Sequence, residues 1–237
     1  MLLFYIRHGD PIYNPDSLTP LGERQAEAVA KRLALYGIDE IYSSTAIRAQ
    51  LTAKPTSEIL KKDVKLLDFC NEIYVWNEFA VDDGDGMDWI FNKPFYKKLF
   101  ASNEITELGD KWYEHDAVKD YGFEAAINRV NTGLDGFVSE QGYVHNRAER
   151  IYQAVSPSDK RVALFAHQGF FISFLSGLLD IPYPIVANHF NICTTGMTVI
   201  EFKNEKGISI PKVLTASNDS HLYREGLPTN YIDDIWF

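Results

Sequence analysis

The sequence predicts an α/β protein built on a mostly parallel sheet. Two runs, residues 2–6 and 161–166, are apolar at nearly every position, as expected for strands that are covered on both faces. Segments with helical spacing of apolar residues follow both runs, and this alternation of strand and helix is typical of a parallel sheet. The chain has 237 residues, of which 46% are hydrophobic, so it is long enough to bury a large core.

The first predicted strand, residues 2–6, leads directly into the run Arg-His-Gly at positions 7–9. A loop rich in proline, asparagine and aspartate follows. A helix is then predicted to begin near Thr19, because threonine is a good N-cap and Pro20 suits the first helical position. Gly37 is typical of the residue at which such a helix ends.

The rest of the chain continues this alternation, with one interruption described below. Further strands are predicted at residues 39–42, 64–69, 161–166, 198–202 and 208–214. Further helices are predicted at residues 45–60, 123–140 and 146–154, and from the run His-Gln-Gly at 167–169 as far as residue 179.

Residues 72 to about 120 interrupt the α/β pattern. This segment carries twelve acidic residues against five lysines, and therefore most of the formal net charge of -10. It also contains ten aromatic residues, too many for a disordered segment. We predict a single domain, residues 1–237, with an acidic, aromatic-rich cap inserted at about 72–120.

Composition limits the partners that the protein can have. An acidic chain is a poor candidate for binding nucleic acid or an anionic membrane, since both require clustered lysine and arginine. The two cysteines, Cys70 and Cys193, form neither a disulfide framework nor a metal-binding spacing. No signal peptide and no run of about 18 apolar residues is visible, so we expect a cytoplasmic protein with a small-molecule partner.

Two predicted strands end on a histidine, His8 and His167. If these strands are parallel neighbours, both histidines reach the same rim of the sheet, where ligands of α/β proteins bind. Arg48, near the start of a helix that follows a strand, can reach that rim and bind phosphate oxygens in bidentate fashion. Alone, such residues are more often structural or solvated. Together they predict a positively charged phosphate pocket.

Five short runs support this interpretation when they are taken in order along the chain. They are RHG at 7–9, LTPLG at 18–22 with QA at 25–26, SS at 43–44 with RA at 48–49 and TA at 52–53, FAHQG at 165–169, and NDSHL at 218–222. With these runs the chain resembles the histidine phosphatase superfamily, also called the phosphoglycerate mutase-like family. The resemblance spans nearly the whole chain, and the cap is its least matched part.

The resemblance implies a three-layer sandwich in which helices cover both faces of a mostly parallel central sheet. It also implies a metal-independent histidine phosphatase that needs no cofactor. His8 would attack the phosphorus of a small phosphate monoester, and water would hydrolyse the resulting phosphohistidine. Arg7, Arg48 and His167 would bind the non-bridging oxygens and stabilise charge in the transition state, so His167 is both a catalytic and a phosphate-binding candidate.

A general acid must protonate the leaving oxygen, and the resemblance implies a carboxylate soon after the third strand. Glu72 is the predicted acid. Asp68, Glu78 and Asp83 remain alternatives, because the glycine and second acid that follow the family's glutamate are not clear here. Asn14, in the first loop, is predicted to contact phosphate, as a nearby asparagine does in relatives.

Two alternatives to a phosphatase stay open. A phosphoglycerate-type mutase would use the same intermediate but retain it under a basic cap, whereas this cap has few lysines and no arginine. A non-catalytic domain that binds a phosphate ligand would not need Arg7, His8, Arg48 and His167 together. The sequence predicts neither the physiological substrate nor the oligomeric state.

Overall fold

Apolar runs form the central strands of the molecule, as the sequence predicts. The computed structural model describes residues 1–231. Among these residues the strands are β1 (Leu2–Arg7), β2 (Pro11–Tyr13), β3 (Asp16–Leu18), β4 (Glu40–Ser44), β5 (Val64–Leu67), β6 (Ala80–Asp82), β7 (Met87–Trp89), β8 (Tyr143–Asn146), β9 (Ile151–Ala154), β10 (Arg161–Ala166), β11 (Met197–Glu201), β12 (Ile208–Ser209) and β13 (Lys212–Asn218). The helices are α1 (Pro20–Tyr36), α2 (Ile47–Leu60), α3 (Glu72–Phe79), α4 (Pro94–Phe100), α5 (Asn103–Leu108), α6 (Phe123–Glu140), α7 (Gln168–Leu179), α8 (Tyr183–His189) and α9 (Ser220–Arg224).

A six-stranded sheet lies at the centre, in the order β13-β11-β1-β10-β4-β5. The strands β1, β10, β4 and β5 run parallel, whereas β11 and β13 are antiparallel to their neighbours. Arg7 pairs with Ala166 in the register of β1 and β10. The next residues, His8 and His167, therefore leave adjacent strands at the same carboxyl edge.

Helices cover both faces of this sheet, which confirms the predicted three-layer α/β architecture. Phe4 and Ile6 of β1 lie in one buried cluster with Val29 and Leu33 of α1. Tyr5, which points to the other face because side chains alternate along a strand, lies in the second cluster with Phe171 of α7. This second cluster also contains the buried aromatic residues of the cap segment.

The helix that follows the first loop has the predicted ends. The Thr19 hydroxyl accepts a hydrogen bond from the backbone N–H of Gly22 at 3.0 Å, and Pro20 is the first helical residue. Gly37 ends the helix with a φ of 71°, a left-handed conformation that glycine adopts without steric cost. The helices α6 and α7 also coincide with the predicted segments.

Aromatic side chains pack the cap segment against the sandwich. The Trp112 ring stacks on Tyr183 of α8 with ring centroids 5.4 Å apart, and Tyr183 stacks on Phe79 at 4.6 Å. Phe79 also stacks on Phe123 of α6 at 5.4 Å. These contacts give the cap segment and the sandwich a shared core.

The helix predicted at residues 146–154 is wrong, because this region forms the β8–β9 hairpin. His145 pairs with Tyr152 across the hairpin, and Arg150 has a φ of 55°. The polar run 146–150 contains good helix formers, but burial of Tyr143 and Tyr152 on the sandwich decides the structure. The predicted strand at 208–214 also divides: β12 pairs with β9, and β13 pairs with β11 and continues to Asn218.

Within residues 1–231, no helix has the length and apolar character needed to cross a membrane.

Candidate active site

The two predicted histidines meet at the carboxyl edge of the central sheet. The rings of His8 and His167 have centroids 5.2 Å apart, and both residues are buried. The backbone N–H of His8 donates to the carbonyl of Ala166 at 2.9 Å, which links the end of β1 to β10. The parallel register of two strands therefore brings together residues that lie 159 positions apart in sequence.

His8 is held as a neutral imidazole with one defined tautomer. Its Nδ1 lies 2.7 Å from the carbonyl oxygen of Gly9. A carbonyl can only accept, so Nδ1 carries the proton and Nε2 keeps its lone pair. Burial, and then the neighbouring His167, Arg7 and Arg48, lower the pKa of His8 well below its usual value. The ring is thus neutral at neutral pH, and the lone pair of Nε2 is free to react.

Arg7 is the last residue of β1, and its guanidinium is almost fully buried. Nη1 donates to the carbonyl of Ile192 at 2.8 Å, whereas the buried Nε has no hydrogen-bond partner among residues 1–231. Burial lowers the pKa of Arg7, since the charged form has lost its hydration. A poorly solvated guanidinium with a free N–H favours the binding of an anion.

His167 is fixed from two sides. Its Nε2 lies 2.8 Å from the Ser44 hydroxyl, and that hydroxyl also accepts the N–H of Ala46 at 3.2 Å. In the tautomer with its proton on Nδ1, His167 accepts the Ser44 hydroxyl proton at Nε2. The Tyr5 hydroxyl donates to the backbone carbonyl of His167 at 2.6 Å. Burial, followed by Arg48 and Arg7, lowers the pKa of His167 well below its usual value.

Arg48 and Glu72 form a partly buried ion pair at the same rim. Arg48 Nη2 lies 2.8 Å from Glu72 Oε2, and Nη1 lies 2.9 Å from Asp16 Oδ1. Burial opposes the charge on Arg48, but Glu72 and Asp16 outweigh it and raise the pKa of Arg48. The buried Nε of Arg48 has no hydrogen-bond partner in the described part of the chain.

Glu72 is the first residue of α3, and Asn71 caps that helix by accepting the N–H of Ile73 at 3.1 Å. Glu72 Oε1 accepts the backbone N–H of Gly169 at 3.0 Å, and Oε2 lies 3.5 Å from His167 Nδ1 without a hydrogen bond. One donor atom each of His8, Glu72 and His167 lies within 4.8 Å of the others. Glu72 therefore lies beside both His8 and His167.

The three alternative acids make contacts elsewhere. Asp68 accepts hydrogen bonds from the hydroxyls of Thr45 and Tyr74 at 2.9 and 2.8 Å. Glu78 pairs with Arg129 at 2.5 Å, and Asp83 pairs with Lys93 at 2.6 Å. Of the four candidates, Glu72 is the one with contacts to both Arg48 and Gly169.

The trio His8, Glu72 and His167 also has donor atoms close enough to hold a metal ion. The buried guanidinium of Arg7 and the partly buried guanidinium of Arg48 lie at the same rim. The charge of Arg7, which has no carboxylate partner among residues 1–231, favours an anion such as phosphate.

Asn14 lies at the exposed tip of the hairpin formed by β2 and β3, and the adjacent Tyr13 lines the site instead. Tyr13 places its ring 5.3 Å from the Arg48 guanidinium carbon. Tyr13, Asp16 and Ser44 lie at the site but are not among the residues that the sequence predicts there. Ser44 could be predicted from the sequence, because it belongs to the same motif as Arg48. Tyr13 and Asp16 reach the site only through the fold of the β2–β3 hairpin.

A cavity of about 740 Å³ opens above Arg48 and Glu72. We call it the entrance cavity. Its walls combine side chains of the β2–β3 hairpin, the start of α2 and the cap segment, including Tyr13, Ile47, Trp76, Asp88 and Trp89. Trp89 also packs on Gly169, where an added Cβ would lie 2.3 Å from the indole ring. The cap segment therefore forms one wall above the histidines.

The fold of this chain and the motifs at this site resemble those of histidine phosphatases. A family model described as histidine phosphatase superfamily (branch 1) matches residues 3–77. That match and the shared fold confirm the resemblance to the superfamily that the sequence motifs predicted. A comparison with the curated proteins gives no match.

Solved structures share this fold over nearly the whole chain. Phosphoserine phosphatase from Entamoeba histolytica, in complex with 3-phosphoglyceric acid, has a TM-score of 0.59 and 20% identity, covering 93% of this chain and 98% of that chain. Mycobacterial glucosyl-3-phosphoglycerate phosphatase, in complex with inorganic phosphate, has a TM-score of 0.59 and 15% identity with the same two coverages. A protein described as mycobacterial hydrolase 1 has a TM-score of 0.57 and 17% identity, covering 92% and 98%.

Proposed function

We propose that the protein is a metal-independent phosphatase that hydrolyses a small phosphate monoester through a phosphohistidine on His8. The observation that carries this proposal is a set of three buried nitrogens at one rim: Arg7 Nε, Arg48 Nε and His167 Nδ1. None of them has a hydrogen-bond partner among residues 1–231. Buried donors without partners are costly, so a set of three around one nucleophile suits an anionic ligand with several oxygens. The family match and the phosphatases among the structural neighbours support phosphatase activity in general.

In the first step, His8 Nε2 attacks the phosphorus atom. A P–N bond forms while the P–O bond to the leaving group breaks, and protonated Glu72 gives its proton to the leaving oxygen. Arg7, Arg48 and His167 donate to the non-bridging oxygens, where the charge of the transition state resides.

In the second step, a water molecule attacks the phosphohistidine. The Glu72 carboxylate accepts a proton from that water, the P–N bond breaks, and inorganic phosphate leaves with His8 neutral again. Glu72 therefore acts first as an acid and then as a base, and the enzyme returns to its starting state.

The distribution of cations in the cap favours transfer to water over transfer back to a substrate. A mutase must hold its phosphorylated intermediate, and free positive groups in the cap would serve that purpose. Of the five lysines in the cap, Lys93, Lys111 and Lys119 are each paired with a carboxylate of the cap segment itself. The other two, Lys97 and Lys98 of α4, do not line the entrance cavity.

The test is the hydrolysis of 4-nitrophenyl phosphate, with wild type, His8→Ala and the matched control His189→Ala compared in the presence of EDTA. His189 is an exposed histidine, so its replacement controls for the loss of a histidine as such. We expect turnover and acid-labile labelling of the protein by a ³²P-labelled ester in wild type and His189→Ala, and neither in His8→Ala. Turnover without label on His8, or turnover abolished by EDTA and restored by a divalent ion, would contradict the proposal.

A further inference from the structure

The entrance cavity receives whatever is bonded to a phosphoryl group held by the histidines and arginines. Arg48 and Glu72 lie both at the phosphate site and in the wall of this cavity. A leaving group whose oxygen is within reach of Glu72 must therefore extend into the cavity. The composition of the remaining walls then determines which leaving groups fit, so this inference rests on the proposed function.

Aromatic and aliphatic side chains form much of the wall. Trp76 and Trp89 meet edge to face with ring centroids 5.0 Å apart. Tyr13, Ile47 and Ile73, which also line the cavity, are 62%, 48% and 53% exposed. Large apolar side chains gathered at one opening mark a surface that gains free energy when a planar apolar ligand covers it.

The charges of the wall are mostly negative. Asp16, Glu72 and Asp88 line the cavity, and Arg48 is the one cation among its described lining residues. Arg48 is already paired with Asp16 and Glu72, and it would also bind the phosphoryl group. No positive side chain of this wall remains for a second anionic group on the substrate.

Asp88 is the acid that can recognise a ligand. Its two hydrogen bonds within the described chain, from the Trp89 N–H at 2.7 Å and from Asn92 Nδ2 at 3.2 Å, both fall on Oδ1. Oδ2 is therefore available. Asp16 differs, because Oδ1 is bound to Arg48 and Oδ2 accepts the N–H of Ile47 at 2.7 Å.

We infer that the entrance cavity selects phosphate monoesters of aromatic alcohols that carry no second anionic group, and that Asp88 with the two tryptophans favours an aromatic ring bearing an amine. An ammonium group near a tryptophan face gains a cation–π interaction, and Asp88 adds an ion pair. A carboxylate or a second phosphate at the same place meets like charge.

Three substrates of matched size test this selection: phenyl phosphates that carry a 4-methyl, a 4-(aminomethyl) or a 4-(carboxymethyl) group. We expect kcat/KM to fall in the order aminomethyl, methyl, carboxymethyl, with about a tenfold range from first to last. Asp88→Asn is expected to reduce that range to about twofold. Asp85→Asn, which removes an exposed charge from the turn of the same hairpin, is the matched control and should leave the range unchanged.

Binding of the three corresponding arylphosphonates, measured by isothermal titration calorimetry, separates selection from turnover. If the phosphonates bind in the expected order but no phosphate is hydrolysed, the proposed function fails and the selection stands. If the three phosphates are hydrolysed at equal rates, or the carboxymethyl compound is preferred, the inferred substrate selection is overturned, whereas the proposed phosphatase activity is retained. Absence of binding by all three phosphonates also overturns the selection.

Discussion

Replacement of Glu72 by glutamine distinguishes a role of this residue in proton transfer from a role in positioning its neighbours. Glutamine has nearly the same shape and keeps an oxygen that can accept the N–H of Gly169, a bond of 3.0 Å in the structure. The substitution removes the transferable proton and the charge that faces Arg48 at 2.8 Å. Loss of one charged hydrogen bond at a partly buried site costs about 1–3 kcal/mol of unfolding free energy, so the variant should still fold.

The expected loss of activity depends on the leaving group. A positioned general acid contributes about 10²–10⁴-fold, and an alkyl phosphate, whose alkoxide is a poor leaving group, should lose about that much in kcat/KM. 4-Nitrophenyl phosphate leaves as a stable phenolate and needs little protonation, so its loss in the first step should be about tenfold or less. We therefore expect Glu72→Gln to lose much more kcat/KM with the alkyl phosphate than with 4-nitrophenyl phosphate.

The assay compares wild type and Glu72→Gln on ethyl phosphate and 4-nitrophenyl phosphate, with thermal unfolding measured in parallel. Glu78→Gln is the matched control, since Glu78 is a helix α3 glutamate that pairs with Arg129 and not with the site. Both substrates should react at nearly wild-type rates with this control. Equal losses for both esters in Glu72→Gln would refute the role of Glu72 as proton donor and leave it only a role in positioning Arg48.

Three other predictions concern the pH dependence and the stability of the protein. Because the pKa of His8 is well below 6.5, protonation of His8 should not lower kcat/KM as the pH falls through 6.5. A decrease of kcat/KM there that persists in His167→Asn would contradict the conclusion that burial lowers the pKa of His8. Gly9→Ala places a Cβ 2.6 Å from the carbonyl oxygen of Gly22 and should cost about 1–3 kcal/mol in urea unfolding, whereas an unchanged midpoint would show that the backbone yields. His145, whose pKa is raised because its hydrogen bonds to Asp135 and Asp180 outweigh burial, stabilises the fold below about pH 6.5 and loses this effect as pH rises through its raised pKa. His145→Gln should therefore lower the unfolding midpoint more at pH 6 than at pH 9, and the opposite trend would contradict a charged His145.

Elements whose sequence carries its own signals were predicted with nearly correct ends. β10 and α6 match because an apolar run and a helical spacing of apolar residues each identify one structure. The β8–β9 hairpin was missed because its strands are short and polar, and Tyr143 and Tyr152 are buried against residues far along the chain. Tertiary packing determines the secondary structure of such a segment, and the local sequence pattern does not indicate it.

The residues of the candidate site also differ in how well the sequence predicts them. His8 and His167 were expected at one rim because each follows an apolar strand, and the register of β1 with β10 brings them there. Tyr13 and Trp89 reach the site through a hairpin and a cap whose positions depend on packing. A sequence motif therefore predicts the buried residues at the ends of the central strands better than the residues that line the entrance cavity.

The ion pair between Glu72 and Arg48 predicts that a bound phosphate ester changes the contacts of both side chains. In the structure Arg48 Nη2 is occupied by the Glu72 carboxylate, while Arg48 Nε is unpartnered within residues 1–231. A bound phosphoryl group brings negative charge to Arg48 and competes with Glu72 for it. Two adjacent anions repel, so a bound ester is expected to weaken the contact between Glu72 and Arg48. In the proposed mechanism Arg48 would then bind the phosphoryl oxygens, and release of phosphate would restore its ion pair with Glu72.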